Sequence, residues 1–278
     1  MKRTEPTNYF DDYSSISRTM LKLFRQSRVE YNLTYNTGEL PQWEPTPPAL
    51  LGTVLHAMLL EDVPLDNLVL RYPSDVLNVN GGLIGPRASA FRVDNPGRVH
   101  MKDEDYDGIQ AGVKSVMSRP EIRDMLAAVS HKEHRVDAEL FGVPCKAKPD
   151  IAGDMGDYMA CYDLKFMKNI DPDSWRRSSR RLAYWLQDSH YSRVVEAKFG
   201  KPVRFRFLAI EIKPPFRVQW YWYEPRSREI AADEHKRLLL DLKHCRETGV
   251  WEDGWQSECV LSSWDIEAEL SPDTVEIS

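Results

Sequence analysis

The hydrophobic period changes near the middle of the chain, and this change restricts the folds that the sequence can adopt. Three short segments bounded by turn residues lie between residues 135 and 166, namely RVDAELFG, VPCKAKPDIAG and YMACYDLKF. Such segments are typical of an antiparallel meander of strands, with a turn at Phe141-Gly142. A helical period returns from about Asp173 to Lys198, after which Gly200 predicts the helix end. The chain must therefore combine a sheet with helices.

Helical patterns precede these strands, and a hairpin follows the long helix. Four earlier helices are predicted at residues 14–31, in PALLGTVLHAMLLED, at about 103–117 and at about 120–129. Ser15 or Ser17 is a candidate cap for the first. Proline and glycine predict a loop at 36–48 and irregular structure at 79–100. The segments PVRFRFLAIEIK and FRVQWYWYE alternate around KPPF and predict a hairpin, and a charged helix is expected at about 226–247.

This order predicts one α/β domain, a mixed central sheet flanked by helices. We expect the domain to span residues 1–262 and residues 263–278 to form a loose acidic tail. The four cysteines are scattered and form no Cys-x-x-Cys pair, which argues against an iron–sulfur cluster. No apolar run reaches the ~18 residues of a membrane span, and the first residues lack the apolar core of a signal peptide. The expected location is the cytoplasm, with no membrane contact.

Two carboxylates and a lysine in KAKPDIAGDMGDYMACYDLKF suggest metal-assisted chemistry. Asp150 and Asp163 lie on two apparently adjacent strands, and strand alternation places Asp163 and Lys165 on one face. Carboxylates are the ligands that Mg²⁺ prefers, and an ammonium beside them can hold an attacking water or neutralise charge on phosphate. A surface strand with alternating charges would look the same, but the apolar flanks of this strand favour a functional role. Leu164 would point into the core while its carbonyl oxygen stays available to a metal.

Other polar residues are placed where they can join this pair. His56 lies off the apolar stripe of its helix, and Glu139 lies on the strand before Asp150. Within the long helix, Tyr184, Gln187 and Tyr191 share one face, and a glutamine is unusual in a core stripe. A satisfied surface histidine and ordinary core packing are the alternative interpretations of these residues.

Basic residues near these motifs could follow a phosphate backbone, although the net charge of the chain is −6. The candidates in WRRSSRR are Arg176, Arg177, Arg180 and Arg181, and those near the strands are Lys146, Lys148, Lys165 and Lys168. The alternative is a solvated basic helix face.

Together these motifs resemble the PDDEXK nuclease superfamily, and most closely its exonuclease VIII (RecE-type) branch, which is related to the RecB nuclease domain and to lambda exonuclease. The matching segments follow the order of the family: ISRTMLKLFRQSRVEY, GTVLHAMLLE, ELFGVPCKAKPD, DLKF and QDSHY. The resemblance covers about residues 14 to 250. The second acid is Asp163 rather than a glutamate, as in the RecB-like branch.

The resemblance implies a restriction-endonuclease-like (PDDEXK) core and assigns roles to the candidates. His56, Asp150 and Asp163 would bind Mg²⁺, with Mn²⁺ as a substitute and the Leu164 carbonyl as a further ligand. Lys165 would be catalytic with Asp150 and Asp163, while Glu139, Gln187 and Tyr191 would be accessory catalytic residues. Arg176, Arg177, Arg180, Arg181 and Lys148 would bind DNA.

The implied activity is Mg²⁺-dependent 5′→3′ exonuclease action on double-stranded DNA with a free end, in phage-type recombination or repair. The implied partners are a single-strand annealing protein and further copies of the chain in a ring. Three alternatives remain open: an endonuclease, a single-strand nuclease, or a catalytically idle DNA-binding assembly module. The cysteine spacing speaks against the nucleases of CRISPR adaptation, which carry an iron–sulfur cluster.

Overall fold

A computed structural model describes Tyr9 and residues 12–41, 47–128 and 131–254. The predicted acidic tail at 263–278 lies outside the described residues. The described helices are α1 (Arg18–Gln26), α2 (Arg28–Tyr31), α3 (Pro47–Leu60), α4 (Leu65–Leu68), α5 (Gly85–Asp94), α6 (Asp103–Met117), α7 (Pro120–Ala128), α8 (Pro172–Leu182), α9 (Tyr184–Phe199) and α10 (Pro225–Thr248). The described strands are β1 (Val69–Arg71), β2 (Val99–Met101), β3 (His131–Lys132), β4 (Val136–Leu140), β5 (Val143–Ala147), β6 (Ile151–Asp154), β7 (Met159–Met167), β8 (Val203–Glu211) and β9 (Val218–Tyr221).

A mixed five-stranded sheet in the order β3-β6-β7-β8-β9 forms the centre of the fold. β7 and β8 are parallel and pair from Met159↔Val203 to Met167↔Glu211, while the other neighbours in this sheet are antiparallel. The long helical segment between β7 and β8 provides the crossover that a parallel pair requires. The predicted α/β class, a mixed sheet flanked by helices, is confirmed.

The predicted three-stranded meander is wrong in its connectivity. β4 and β5 form a separate hairpin, with one further bridge from Cys145 to Ile16, whereas β6 and β7 belong to the central sheet. The segment expected to be one strand is broken between Ala147 and Ile151, at Lys148-Pro149-Asp150. Pro149 has no N–H to donate to a ladder, so the chain leaves one sheet and enters the next here. This break places Asp150 directly before β6 rather than inside a strand.

The segment at 79–100 is more ordered than predicted, because it contains α5 and β2. Pro86 lies in the first turn of α5, where the missing N–H of proline has no intrahelical partner to lose. Pro86, one of the residues that predicted irregular structure, therefore marks the start of a helix. β2 pairs in parallel with β1 as a separate two-stranded sheet.

Two helices predicted as continuous are each broken. Residues 14–31 form α1 and α2, because the Ser27 backbone is extended and its hydroxyl caps α2 by accepting from Glu30 N–H at 3.0 Å. Ser17 caps α1, as one of the two predicted alternatives. The long helix divides at Ala183, whose φ of 52° is left-handed. The end at Gly200, the β8–β9 hairpin and the helices α6, α7 and α10 agree with the predictions.

Helices cover both faces of the central sheet. One face packs on α1, α9 and α10, with Leu21, Leu186, Phe207 and Leu239 fully or almost fully buried. The other face packs on α3, α6 and α7, and Leu164 lies in this core as predicted. Among the described helices, none combines the length and the hydropathy needed to cross a membrane.

Candidate active site

The candidate site lies beside the start of β6 and the middle of β7, where α3 and α9 meet the central sheet. Ligand atoms of His56, Glu133 and Asp150 all lie within 4.8 Å of one another. His56 Nδ1 is 3.4 Å from Glu133 Oε1, and His56 Nε2 is 3.6 Å from Asp150 Oδ2. One imidazole thus stands between two carboxylates.

Backbone contacts hold these three residues in place. Asp150 Oδ2 accepts from the Leu164 backbone N–H at 2.6 Å, which ties the start of β6 to β7. The Asp150 carbonyl accepts from the backbone N–H of Glu133 at 3.0 Å. Glu133 has a φ of 50° and follows β3 directly, so the chain turns there toward the cluster. His56 projects from α3 and packs edge-on against Phe166, with ring centroids 5.3 Å apart.

A second group forms around Asp163, which is 2% exposed. Its Oδ1 pairs with Lys165 Nζ, and its Oδ2 accepts from Gln187 Nε2 on α9. The Lys165 ammonium also lies 5.0 Å from the centroid of the Tyr184 ring. Asp163 and Lys165 therefore share one face of β7, as strand alternation predicts.

The two groups are coupled electrostatically. Burial and the negative charge of Asp163 raise the pKa of Asp150, despite the opposing effects of His56 and Lys165. Burial opposes the charged form of Lys165, yet the adjacent Asp163 and Asp150 raise its pKa. Burial also opposes protonation of His56, but Asp150 and Glu133 raise the pKa of its imidazole. Two buried carboxylates that repel each other favour a bound cation.

The residues present fit a divalent metal ion. Carboxylate oxygens suit Mg²⁺ and Mn²⁺, and an imidazole nitrogen suits Mn²⁺ better. The buried His56 Nδ1 and Asp163 Oδ1 each face a charged group of the described chain, Glu133 and Lys165 respectively. His56 and Asp150, both predicted as ligands, belong to the cluster, and Glu133 joins them. Ligation by Asp163 and by the Leu164 carbonyl stays a prediction.

The predicted accessory residues, Gln187, Tyr191 and Glu139, lie in different parts of the structure. Gln187 on α9 donates to Asp163 Oδ2, and burial raises the pKa of Tyr191, whose accessory role stays a prediction. Glu139 is exposed on β4 opposite Pro144, and among the described residues it forms no ion pair or hydrogen bond with the cluster. Glu139 lies on the separate β4–β5 hairpin, and its accessory role stays a prediction.

The basic residues predicted to bind DNA differ in exposure and in their partners. Arg176, Arg177, Arg180 and Arg181 are exposed on α8, in keeping with a DNA-contacting role that stays a prediction. Lys148 Nζ lies 2.5 Å from Glu133 Oε2, so this lysine belongs to the edge of the cluster. Lys146 is 1% exposed, and its ammonium donates to the carbonyls of Tyr9 and Asp12, which removes it from any phosphate track.

Sequence reasoning missed two residues of the site. Glu133 precedes β4 in the segment HKEHR, which carries no motif. It reaches the cluster because β3 pairs with β6. Arg18, in the first turn of α1, donates to the carbonyls of Leu182 and Ala183, and its buried Nε has no hydrogen-bond partner in the described chain. Burial lowers the pKa of Arg18, while Tyr191 and Asp163 counteract this effect. No local pattern signals either residue, because both depend on contacts between distant segments.

The comparisons with known proteins agree with this architecture. The profile of the "PDDEXK-like domain of unknown function (DUF3799)" matches residues 17–259. A search of curated proteins found no match. The structure is similar to the crystal structure of a protein described as "Putative exonuclease" from Eubacterium rectale, with a TM-score of 0.61 and 14% identity, covering 96% of this chain and 99% of that chain. A second similar chain, SSO0001, has a TM-score of 0.28 and 12% identity, covering 69% of this chain and 86% of that chain.

At these identities the structural likeness establishes the fold alone, and the second TM-score is too low to add to it. The family profile covers most of the chain. Family and site chemistry together indicate a nuclease, a hydrolase of phosphodiester bonds. The chain belongs to the family of the PDDEXK-like domain of unknown function, and its mixed α/β fold is that of the PDDEXK nucleases.

Proposed function

We propose that the protein is a Mg²⁺-dependent exodeoxyribonuclease that digests linear double-stranded DNA, with the polarity 5′→3′. The observation that carries the proposal is the arrangement of Asp150, Asp163 and Lys165 at one place on β6 and β7, with His56 and Glu133 beside them. Two buried carboxylates and an ammonium within one cluster match the needs of phosphodiester hydrolysis.

The residues of the site have different chemical roles. A divalent metal ion, when bound by His56, Glu133, Asp150 and Asp163, would act as a Lewis acid toward the phosphate. Lys165 is held charged by Asp163, so its ammonium can orient an attacking water and offset negative charge that develops on the phosphate. Gln187 fixes the orientation of Asp163 by donating to its second oxygen. Each of these groups is in place before substrate arrives.

The substrate and partners are proposed on further grounds. The exposed arginines of α8 follow directly from β7 through a short loop, and arginine contacts to phosphates position a duplex without reading its sequence. The resemblance to the RecE-type branch supports a role in phage-type recombination or repair in the cytoplasm. It also supports a ring of identical subunits and a single-strand annealing partner.

Digestion of end-labelled linear and closed circular duplex DNA tests the proposal directly. Linear DNA should be degraded from its ends in Mg²⁺, while circular DNA should remain intact. Ca²⁺ should support binding without cleavage, because it is larger and lowers the pKa of bound water less. Cleavage of circular DNA would make the protein an endonuclease, degradation of single strands alone would make it a single-strand nuclease, and DNA binding without cleavage in any divalent metal would make it a binding module.

A further inference from the structure

On the side opposite Asp163, the central sheet carries two exposed arginines and an exposed tryptophan next to half-buried aromatic rings, two of which pack against the core below α6 and α7. Side chains that share a register position lie on the same face, so Tyr162 lies beside Arg206, and Trp220 lies beside Leu208. Asp163 pairs with Phe207 on the other face. We define the outer sheet face by six residues: Tyr158, Tyr162, Arg204, Arg206, Trp220 and Trp222.

Arginines and rings alternate in direct contact across this face. The Arg204 guanidinium lies 3.9 Å from the centroid of Tyr158, and the Arg206 guanidinium lies 5.0 Å from that of Trp222. Tyr162 and Trp220 contact each other with centroids 5.5 Å apart. A guanidinium stacked on a ring keeps its N–H donors at the edge, where they can reach an anion.

The two arginines have no acidic partner among the described residues. Neither Arg204 nor Arg206 forms an ion pair or hydrogen bond with another described residue, although both are exposed. Some other exposed arginines are paired, such as Arg226 with Glu229 and Arg237 with Glu234. On a chain of net charge −6, two adjacent unpaired guanidinium groups favour an anionic occupant.

Trp222 connects this face to a cleft. The indole is 60% exposed at the end of β9, and it borders a cleft of about 600 Å³ between α9 and α10. Asp188 Oδ2 and Ser189 Oγ are buried along this cleft and have no hydrogen-bond partner in the described chain. An exposed ring beside this cleft offers a nucleobase a stacking surface.

We propose that the outer sheet face binds single-stranded DNA. A single strand presents phosphates and unstacked bases together, which matches interleaved guanidinium groups and rings. A duplex keeps its bases stacked inside, so only its phosphates could contact this face, through the two arginines. An acidic peptide would likewise contact the arginines but not the rings. The site is separate from Asp163 and Lys165, so binding there requires no hydrolysis and does not depend on the proposed nuclease activity.

Fluorescence anisotropy with a labelled oligothymidylate of about 20 nucleotides tests the proposal, using the full chain with divalent metal chelated. Trp222→Ala should weaken binding about tenfold, and Trp222→Phe should retain most of the affinity because it keeps a ring. Arg204→Ala with Arg206→Ala should reduce the slope of log K against log salt by about 1.4, at about 0.7 per phosphate contact. Arg237→Ala, an exposed arginine with acidic partners, is the matched control and should behave as the parent.

Circular dichroism and thermal melting establish that each variant is folded. Parental affinity and salt slope in both the tryptophan and the double arginine variants would overturn the proposal. Equal competition by a duplex of the same length would also overturn it, since the rings would then play no part. A change of oligomeric state in Trp222→Ala without a change in oligonucleotide affinity would show that the face contacts another copy of the chain instead.

Discussion

Asp163 receives contacts from two different elements, and each of its carboxylate oxygens has a separate partner. Lys165 on the same strand pairs with Oδ1, while Gln187 on α9 donates to Oδ2. Since the residue is 2% exposed, its carboxylate is solvated by these partners rather than by water. The orientation and the charge of the site are therefore controlled by single side chains.

Removing either member of the Asp163–Lys165 pair should abolish hydrolysis while the protein stays folded. We expect Asp163→Ala and Lys165→Ala each to lower DNA hydrolysis at least about a hundredfold, as is typical for loss of a group that assists proton transfer or charge stabilisation. Metal titration should show weaker binding for Asp163→Ala and nearly parental binding for Lys165→Ala. The exposed Lys198→Ala on α9 is the control. Digestion at the parental rate by either variant would exclude that residue from the site.

The metal preference of the site should depend on His56. We expect His56→Ala to lose activity in Mg²⁺ and to recover part of it in excess Mn²⁺, which binds the remaining oxygen ligands more strongly than Mg²⁺ does. Turnover in each metal and the melting temperature should be measured together, with the exposed His244→Ala as the control. A His56→Ala variant with parental turnover in Mg²⁺ would mean that the imidazole only packs against Phe166 and stabilises the fold.

At the scale of elements, α9 and α10 meet through two buried histidines. His190 Nε2 lies 3.0 Å from the Lys146 carbonyl, which can only accept, so this nitrogen carries the proton. His190 Nδ1 then accepts from His235 Nε2 at 3.0 Å. His235 Nδ1 is left buried without a partner in the described chain. Both rings must therefore stay neutral in the folded protein.

This histidine pair should make the fold sensitive to acid. Burial lowers the pKa of His190 to about 4, and burial with the neighbouring His190 lowers that of His235 to about 2. The unfolded chain takes up these protons below pH ~6.5, so stability is complete above that pH and is lost as the pH falls toward 4. Each histidine contributes a slope of up to about 1.4 kcal/mol per pH unit.

Urea unfolding from pH 7.5 to 4.5, a range of about 3 units around the ordinary histidine pKa, measures this slope. His235→Gln keeps a donor for His190 Nδ1 but cannot titrate, so its unfolding free energy should fall less steeply with acid. The exposed His244→Ala should show the parental slope. A parental slope in His235→Gln would mean that His235 is not held neutral by the fold.

The sequence predicts most elements correctly where the signal is local. The strand pair β8–β9 and the helices α6 and α10 follow from alternation, helical period and turn residues. The helix breaks at Ser27 and Ala183 do not follow from local signals, because both positions contact residues that are distant in sequence. Asp253 accepts from Ser27, and Arg18 donates to the Ala183 carbonyl. Asp150, Asp163, Lys165, His56 and Gln187 are recognisable from motifs, whereas Glu133 enters the site only through pairing of β3 with β6.

At the scale of the whole molecule, the segment after α10 returns to the first helices. Asp253 Oδ2 accepts from Ser27 Oγ at 2.8 Å, and its Oδ1 accepts from the backbone N–H groups of Arg28 and Val29. Trp251 stacks on Tyr31 with ring centroids 5.7 Å apart. A carboxylate at a helix start satisfies free N–H groups and interacts favourably with the helix dipole.

Loss of this contact should weaken the fold measurably. We expect Asp253→Ala to destabilise the protein by about 1 kcal/mol, as for other lost N-caps, and to lower Tm by roughly 2–4 °C for a domain of this size. Glu252→Ala, at the exposed neighbouring position, should leave Tm unchanged. Equal melting temperatures for the two variants would show that Asp253 contributes nothing to the stability of α2.

The contact between Ser27 and Asp253 joins residues that are 226 positions apart. During synthesis on the ribosome, α1 and α2 therefore emerge long before the residues that complete their packing and their cap. Arg18 belongs to the same early segment, and its partners are the carbonyls of Leu182 and Ala183, where α8 ends and α9 begins. A nascent chain thus lacks the packing and the cap of its first helices until α10 and the segment behind it have been made, and arrested chains should stay sensitive to protease up to that length.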